Sequence, residues 1–174
     1  ARAEPEPAKR RERLEAAYAA DQQKVWAAYD LVELCAAAGD LAAAEKYARA
    51  ARDARPGDAD VRNVLGNVLV QAGKPREAEA ELAEALKLRP AFPQALYNLG
   101  LVRAAAGKHE EAAGLFRKAA EADAKFAEAW NNLGHCLARL EEPAEAVGAY
   151  RKAIEARPGY GAAHNNLAVA LYRQ

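Results

Sequence analysis

Apolar positions along this chain recur at spacings of three and four, and the whole pattern then repeats every 34 residues. Leucine occupies one column at Leu31, Leu65, Leu99, Leu133 and Leu167. Alanine holds two more, at Ala44, Ala78, Ala112 and Ala146, and at Ala51, Ala85, Ala119 and Ala153. Residues three and four apart share one face of a helix. A longer period of this size signals stacked helix pairs rather than one globular core. The clearest copy runs from Ala127 to Tyr160. Its first helix presents Trp130, Leu133, Gly134 and Leu137, and its second answers with Ala146, Tyr150 and Ala153. Full copies are read at 25–58, 59–92, 93–126 and 127–160, followed by a half copy at 161–174.

Turns between paired helices are expected near Gly39, Gly73, Gly107 and Glu141, the last copy lacking the glycine. Glycine there closes a helix in the left-handed conformation without a Cβ penalty. Pro93 suits a first helical turn, where its missing N–H would be unpaired anyway. Ala124 replaces the proline that ends other copies, so that helix end is expected to be less sharply set. The first copy departs from the pattern in two places. Val32 stands where later copies have glycine, and Ala48 where they have Leu82, Phe116 or Tyr150, with Tyr47 expected to take over the filling role. Arg103 occupies a column of Cys35, Leu69, Leu137 and Leu171, and its stem is expected to pack while its head reaches water. Residues 1–24 read as a frayed leader, 1–8, and a covering helix carrying Leu14, Ala17 and Tyr18. The last helix has no second helix to cover Leu167, Leu171 and Tyr172, so that face is expected to meet another molecule or further repeats.

The layout of Trp130, Leu133, Gly134, Ala146, Tyr150, Ala153 and Pro158 resembles the tetratricopeptide repeat family. The resemblance covers about residues 25–174 and implies an all-α, right-handed superhelical solenoid of stacked antiparallel helix pairs. It also implies that first helices line a concave groove.

Composition narrows the function. Lys plus Arg and Asp plus Glu balance at 25 each, so no basic footprint for nucleic acid or polybasic membrane contact is expected. No apolar run is long enough to span a bilayer. Serine and threonine are absent, which removes those nucleophiles and phosphorylation sites from the chain. His109, His135 and His164 lack ligand spacing, and no phosphate loop is visible, so neither a metal nor a cofactor nor a catalytic constellation is expected. Cys35 and Cys136 lie three copies apart. At about 8–10 Å per packed helix they are too distant for a disulfide. Free thiols favour a reducing compartment such as the cytoplasm. The chain starts at Ala1 without any methionine, which reads as a processed or excised piece and leaves the periplasm open.

One polar column carries the functional reading. Asn98, Asn132 and Asn166 recur once per copy on first helices, expected on the open side of the groove. Asn131 and Asn165 adjoin two of them, and Asn63 and Asn67 decorate the second copy. Asparagine is a mediocre helix former, so its recurrence needs a reason. A primary amide both donates and accepts, which suits the backbone of an extended peptide. These steps resemble the asparagine ladder of the tetratricopeptide arrays that precede O-linked N-acetylglucosamine transferases. The carboxylate clamp of chaperone-binding members fits poorly, because Glu128 and Asn132 stand where it wants Lys and Arg. Tyr97, Glu128, His135 and Arg139 are the variable neighbours expected to set selectivity. The competing reading has the asparagines bonding neighbouring helices. The leading function is thus a protein-interaction scaffold that binds an extended peptide or a partner protein. A substrate-guiding region of a larger enzyme, such as a glycosyltransferase, and a self-assembling module joined through its last helix are the alternatives.

Overall fold

The structure is a computed structural model that describes residues 7–20 and 25–173, and the side chains from Lys9 onward. The described residues form ten helices and no strand. The chain divides into two compact units, Ala1–Leu88 and Arg89–Gln174.

Unit 1 holds α1 (Pro7–Ala20), α2 (Val25–Ala37), α3 (Leu41–Ala54), α4 (Ala59–Gln71) and α5 (Pro75–Leu88). Each packs on the next in order. Unit 2 holds α6 (Pro93–Ala105), α7 (His109–Ala122), α8 (Ala127–Arg139), α9 (Pro143–Ala156) and α10 (Gly161–Tyr172), again packed in sequence, with α10 also touching α8. First helices begin at Val25, Ala59, Pro93, Ala127 and Gly161, a constant step of 34 residues. The covering helix α1 begins at Pro7, two residues earlier than the sequence suggests. The rest of the expected leader, residues 1–6, and the end of that helix, 21–24, lie outside the described residues.

The four turns share one hydrogen bond, made by the amide N–H just past the turn with a carbonyl five residues back. Its members are Asp40 to Cys35 at 2.9 Å, Lys74 to Leu69 at 2.9 Å, Lys108 to Arg103 at 3.0 Å and Glu142 to Leu137 at 2.9 Å. This 6→1 bond closes a helix only if the intervening residue is left-handed. Gly39, Gly73 and Gly107 supply that with φ of 76°, 70° and 75°, and Glu141 adopts it with φ 62° despite its side chain. Asp40 adds a cap to α3, its Oδ1 accepting from the Ala43 N–H at 3.1 Å. A second recurrent device ties loops to first helices. Arg62 Nε donates to the Pro56 carbonyl at 2.8 Å, Trp130 Nε1 donates to that of Ala124 at 3.2 Å, and His164 Nε2 bonds that of Pro158 at 2.8 Å. The helix end before Ala124 is as sharp as the others: α7 stops at Ala122, and Asp123 turns the chain by accepting from the Lys125 N–H at 3.0 Å.

Each alanine column is buried, Ala44, Ala78, Ala112 and Ala146 at 0 % exposure. Close approach is enforced by glycine. A Cβ on Gly66 would lie 2.6 Å from Leu82, on Gly100 2.7 Å from Phe116, and on Gly134 2.7 Å from Tyr150. The first copy exchanges the sizes. Val32 and Ala48, both buried, occupy these two columns, so the larger side chain comes from the first helix. Tyr47 packs towards α1, its ring edge-on to Tyr18 at 5.7 Å and its hydroxyl donating to Glu15 at 3.1 Å. Arg103 is largely covered, its guanidinium 3.2 Å from Glu111.

Candidate functional site

In unit 2 the amide column is engaged internally, and it runs diagonally. Asn132 Nδ2 on α8 donates to the Tyr97 hydroxyl on α6 at 3.1 Å. One repeat on, Asn166 Nδ2 on α10 donates to Asn131 Oδ1 on α8 at 2.9 Å. Each bond links a residue to the one 35 positions earlier, so Tyr97 plays in one rung the part Asn131 plays in the next. A buried amide without a partner would cost about 1–3 kcal/mol, which is why these groups pair.

Two asparagines expected on the open side are therefore misplaced by the sequence reading. Asn98 and Asn131 are buried, at 8 % and 7 % exposure. Asn131 is covered on α8, where its Oδ1 accepts from Asn166 on the next first helix. Asn132 and Asn166 are half-buried, while His135, Arg139 and Asn165 are exposed. Glu128 is half-buried and held by Arg157, whose Nη2 donates to Oε1 at 2.6 Å while its guanidinium lies 5.0 Å from the Tyr160 ring. Burial, with the nearby Tyr160 and Glu128 adding to it, raises the Tyr97 phenol above its ordinary pKa. In unit 1, Asn67 is exposed on α4 and Asn63, one turn before it, is half-buried.

Between α8, the start of α9 and α10 lies a groove of about 530 Å³. His135, Arg139, Glu141, Asn166 and Arg173 supply its polar lining, Tyr150 and Val169 part of its apolar wall. Three of the expected site residues thus converge there, His135, Arg139 and Asn166. Arg173 and Val169 were missed, although a step of 34 residues from Arg139 and His135 leads to them. Neither arginine has an ion-pair partner among the described residues. The arrangement can offer two cations, a carboxylate from Glu141, an imidazole and an amide oxygen to a chain lying across two first helices. It holds no nucleophile–base pair, and the described residues contain no cluster of three or more metal-ligating side chains.

Cys35 and Cys136 are free and buried. Burial raises both thiols, Cys136 to about 11. No described helix is long and apolar enough to cross a membrane.

Family models described as tetratricopeptide repeat match residues 7–68, 63–125 and 127–160. No match is found among the curated proteins. Among solved structures, the chain is similar to YrrB, described as a TPR protein with an unusual peptide-binding site. That pair is 26% identical with a TM-score of 0.69, covering 87% of this chain and 78% of that one. It is also similar to the Sgt2 TPR domain from Aspergillus fumigatus, 28% identical with a TM-score of 0.62 over 66% of this chain and 78% of that one. The pilF protein of Pseudomonas aeruginosa, 22% identical, shares the fold with a TM-score of 0.80 over 88% of this chain and 69% of that one. With its glycine-closed helix pairs, its alanine columns and three family models spanning nearly its whole length, the chain belongs to the tetratricopeptide repeat family.

Proposed function

We propose that this chain is a non-catalytic protein-interaction scaffold and that unit 2 binds an extended peptide across α8 and α10. The observation that carries this is the groove itself: exposed His135 and Arg139 line it together with Glu141 and Asn166 and with the apolar Tyr150 and Val169. The ladder amides spend their N–H groups on neighbouring helices, but the Oδ1 atoms of Asn132 and Asn166 have no hydrogen-bond partner among the described residues. An oxygen acceptor at successive repeats suits the N–H groups of a peptide backbone, and each net bond is worth about 0.5–1.5 kcal/mol. Affinity from such bonds is modest and sequence-tolerant, with selectivity left to His135 and Arg139. The similarity to YrrB supports the same reading, as a family member described as having a peptide-binding site.

The test is selection of binders from a random peptide library on the whole protein, followed by calorimetry on Arg139→Ala and His135→Ala. Weaker binding in both variants at unchanged melting temperature is the expected result. Selected peptides that bind both variants as well as the parent contradict the assignment.

A further inference from the structure

The turn between α8 and α9 carries a strain that its three counterparts avoid. Gly39, Gly73 and Gly107 close their helix pairs with φ of 76°, 70° and 75°, and Glu141 does so with φ 62°. A Cβ on any of those three glycines would meet nothing within 4 Å, so the left-handed backbone, not crowding, is what favours glycine at these turns. Glutamate therefore costs stability where glycine would cost none. The helix that follows returns little of that cost. A carboxylate beside a helix N-terminus is favourable, but by less than the left-handed conformation costs a non-glycine residue. Glu142 already stands at the N-cap of α9 and Glu145 in its first turn, so a third carboxylate there adds little. No other side chain holds Glu141 in place. It is exposed and has no ion-pair or hydrogen-bond partner among the described residues, although Arg139 and Arg173 line the same groove.

Strained residues concentrate at sites where function over-determines them. The strained side chain here is also one that lines the groove of about 530 Å³, beside His135, Arg139 and Asn166. We propose that Glu141 is a specificity-determining residue of this groove, selecting peptides that carry a lysine or arginine side chain whose cation pairs with its carboxylate. This rests on the groove being the peptide site. Arg139, in the last turn of α8, favours a carboxylate close to that cation, so the preferred segment carries both signs. A purely acidic segment meets Glu141 as a like charge, and a purely basic one meets Arg139, which rejects both. Asn166 Oδ1 and the apolar Tyr150 and Val169 read neither sign, so Glu141 adds selectivity to contacts that are otherwise sequence-tolerant.

The test is a positional-scanning library of acetylated, amidated octapeptides screened against the full chain. Calorimetry then compares the leading peptide with a derivative that has norleucine for its basic residue. Enrichment of lysine or arginine at one position is expected. Glu141→Gln keeps a side chain of the same size and removes the charge. It should weaken the basic peptide about threefold to fivefold and leave the norleucine peptide unchanged. Glu141→Gly should weaken the basic peptide by the same factor while raising the denaturation midpoint, which separates the strain from the recognition. Absence of basic enrichment overturns the assignment. So do basic peptides that bind Glu141→Gln as tightly as the parent yet weaken with His135→Ala and Arg139→Ala, a result that leaves the groove as the peptide site. Peptides indifferent to all of these variants overturn both readings.

Discussion

Replacing Gly134 by alanine adds one methyl group at the closest approach of α8 and α9. That Cβ would lie 2.7 Å from Tyr150 Cε1, 2.8 Å from Cδ1 and 3.0 Å from Cζ, where carbon atoms prefer about 3.5–4.0 Å. Tyr150 is 3 % exposed and its ring cannot swing into solvent, so the helices must part. Overpacking of this kind costs about 1–3 kcal/mol. Alanine also gains about 1 kcal/mol over glycine in a helix interior. The two terms nearly offset, so the single substitution alone would be ambiguous. Gly148 resolves this. It lies in α9, and a Cβ there meets nothing within 4 Å, so Gly148→Ala should show the gain of about 1 kcal/mol undiluted. The difference between the two variants isolates the clash, about 1–3 kcal/mol, or several degrees in melting temperature. Urea denaturation followed by circular dichroism at 222 nm (a conventional helix wavelength, about 1 nm bandwidth) reads both variants beside the parent. Adding Tyr150→Ala to Gly134→Val, the arrangement of Val32 and Ala48, should recover part of the loss and show favourable coupling. Equal shifts for Gly134→Ala and Gly148→Ala would refute the packing argument.

Glu141→Gly should stabilise the chain by about 0.5–1 kcal/mol, because the left-handed conformation costs a non-glycine residue about 1–2 kcal/mol and glycine's extra unfolded freedom returns part of it; a drop in the denaturation midpoint would contradict this. Cys136, raised to about 11, and Cys35, raised by burial as well, should resist alkylation at about pH 8 in the folded protein and react at once in denaturant, as read by mass spectrometry. Asp40 is held below its ordinary pKa by the Ala43 N–H and then by Arg11, so the unfolded chain takes up a proton first as pH falls. Its stabilisation is present above the unfolded value of about 3.9 and is lost as the pH falls from there through the lower folded value. Asp40→Asn should flatten the stability profile of the α1–α3 end below about pH 5, followed by hydrogen exchange.

The fold was legible because its determinants are local and repeated. Gly39, Gly73 and Gly107 mark turns by chemistry alone, and the 34-residue step predicted that Glu141 would adopt the same turn without glycine. The step also locates the alanine columns, whose burial follows from the need for two backbones to approach. Asn98 and Asn131 were harder. A column of amides looks the same whether it faces a ligand or a neighbouring helix, and the bonds that decide it run at 35 residues rather than 34. The doublets Asn131-Asn132 and Asn165-Asn166 held that diagonal in plain view, but Tyr97, its partner in the preceding rung, breaks the residue type. Ala124 misled in the other direction, since a helix end can be set by Asp123 without a proline.

Calorimetric affinity for a library-selected peptide, paired with thermal melting, separates the two roles assigned to the first helices of unit 2. Asn132→Ala removes the bond to Tyr97 and should lower stability by about 0.5–1.5 kcal/mol, while Arg139→Ala combined with His135→Ala should lower affinity at an unchanged melting temperature. If the arginine–histidine pair instead alters melting and leaves affinity intact, the groove is structural and the binding assignment fails.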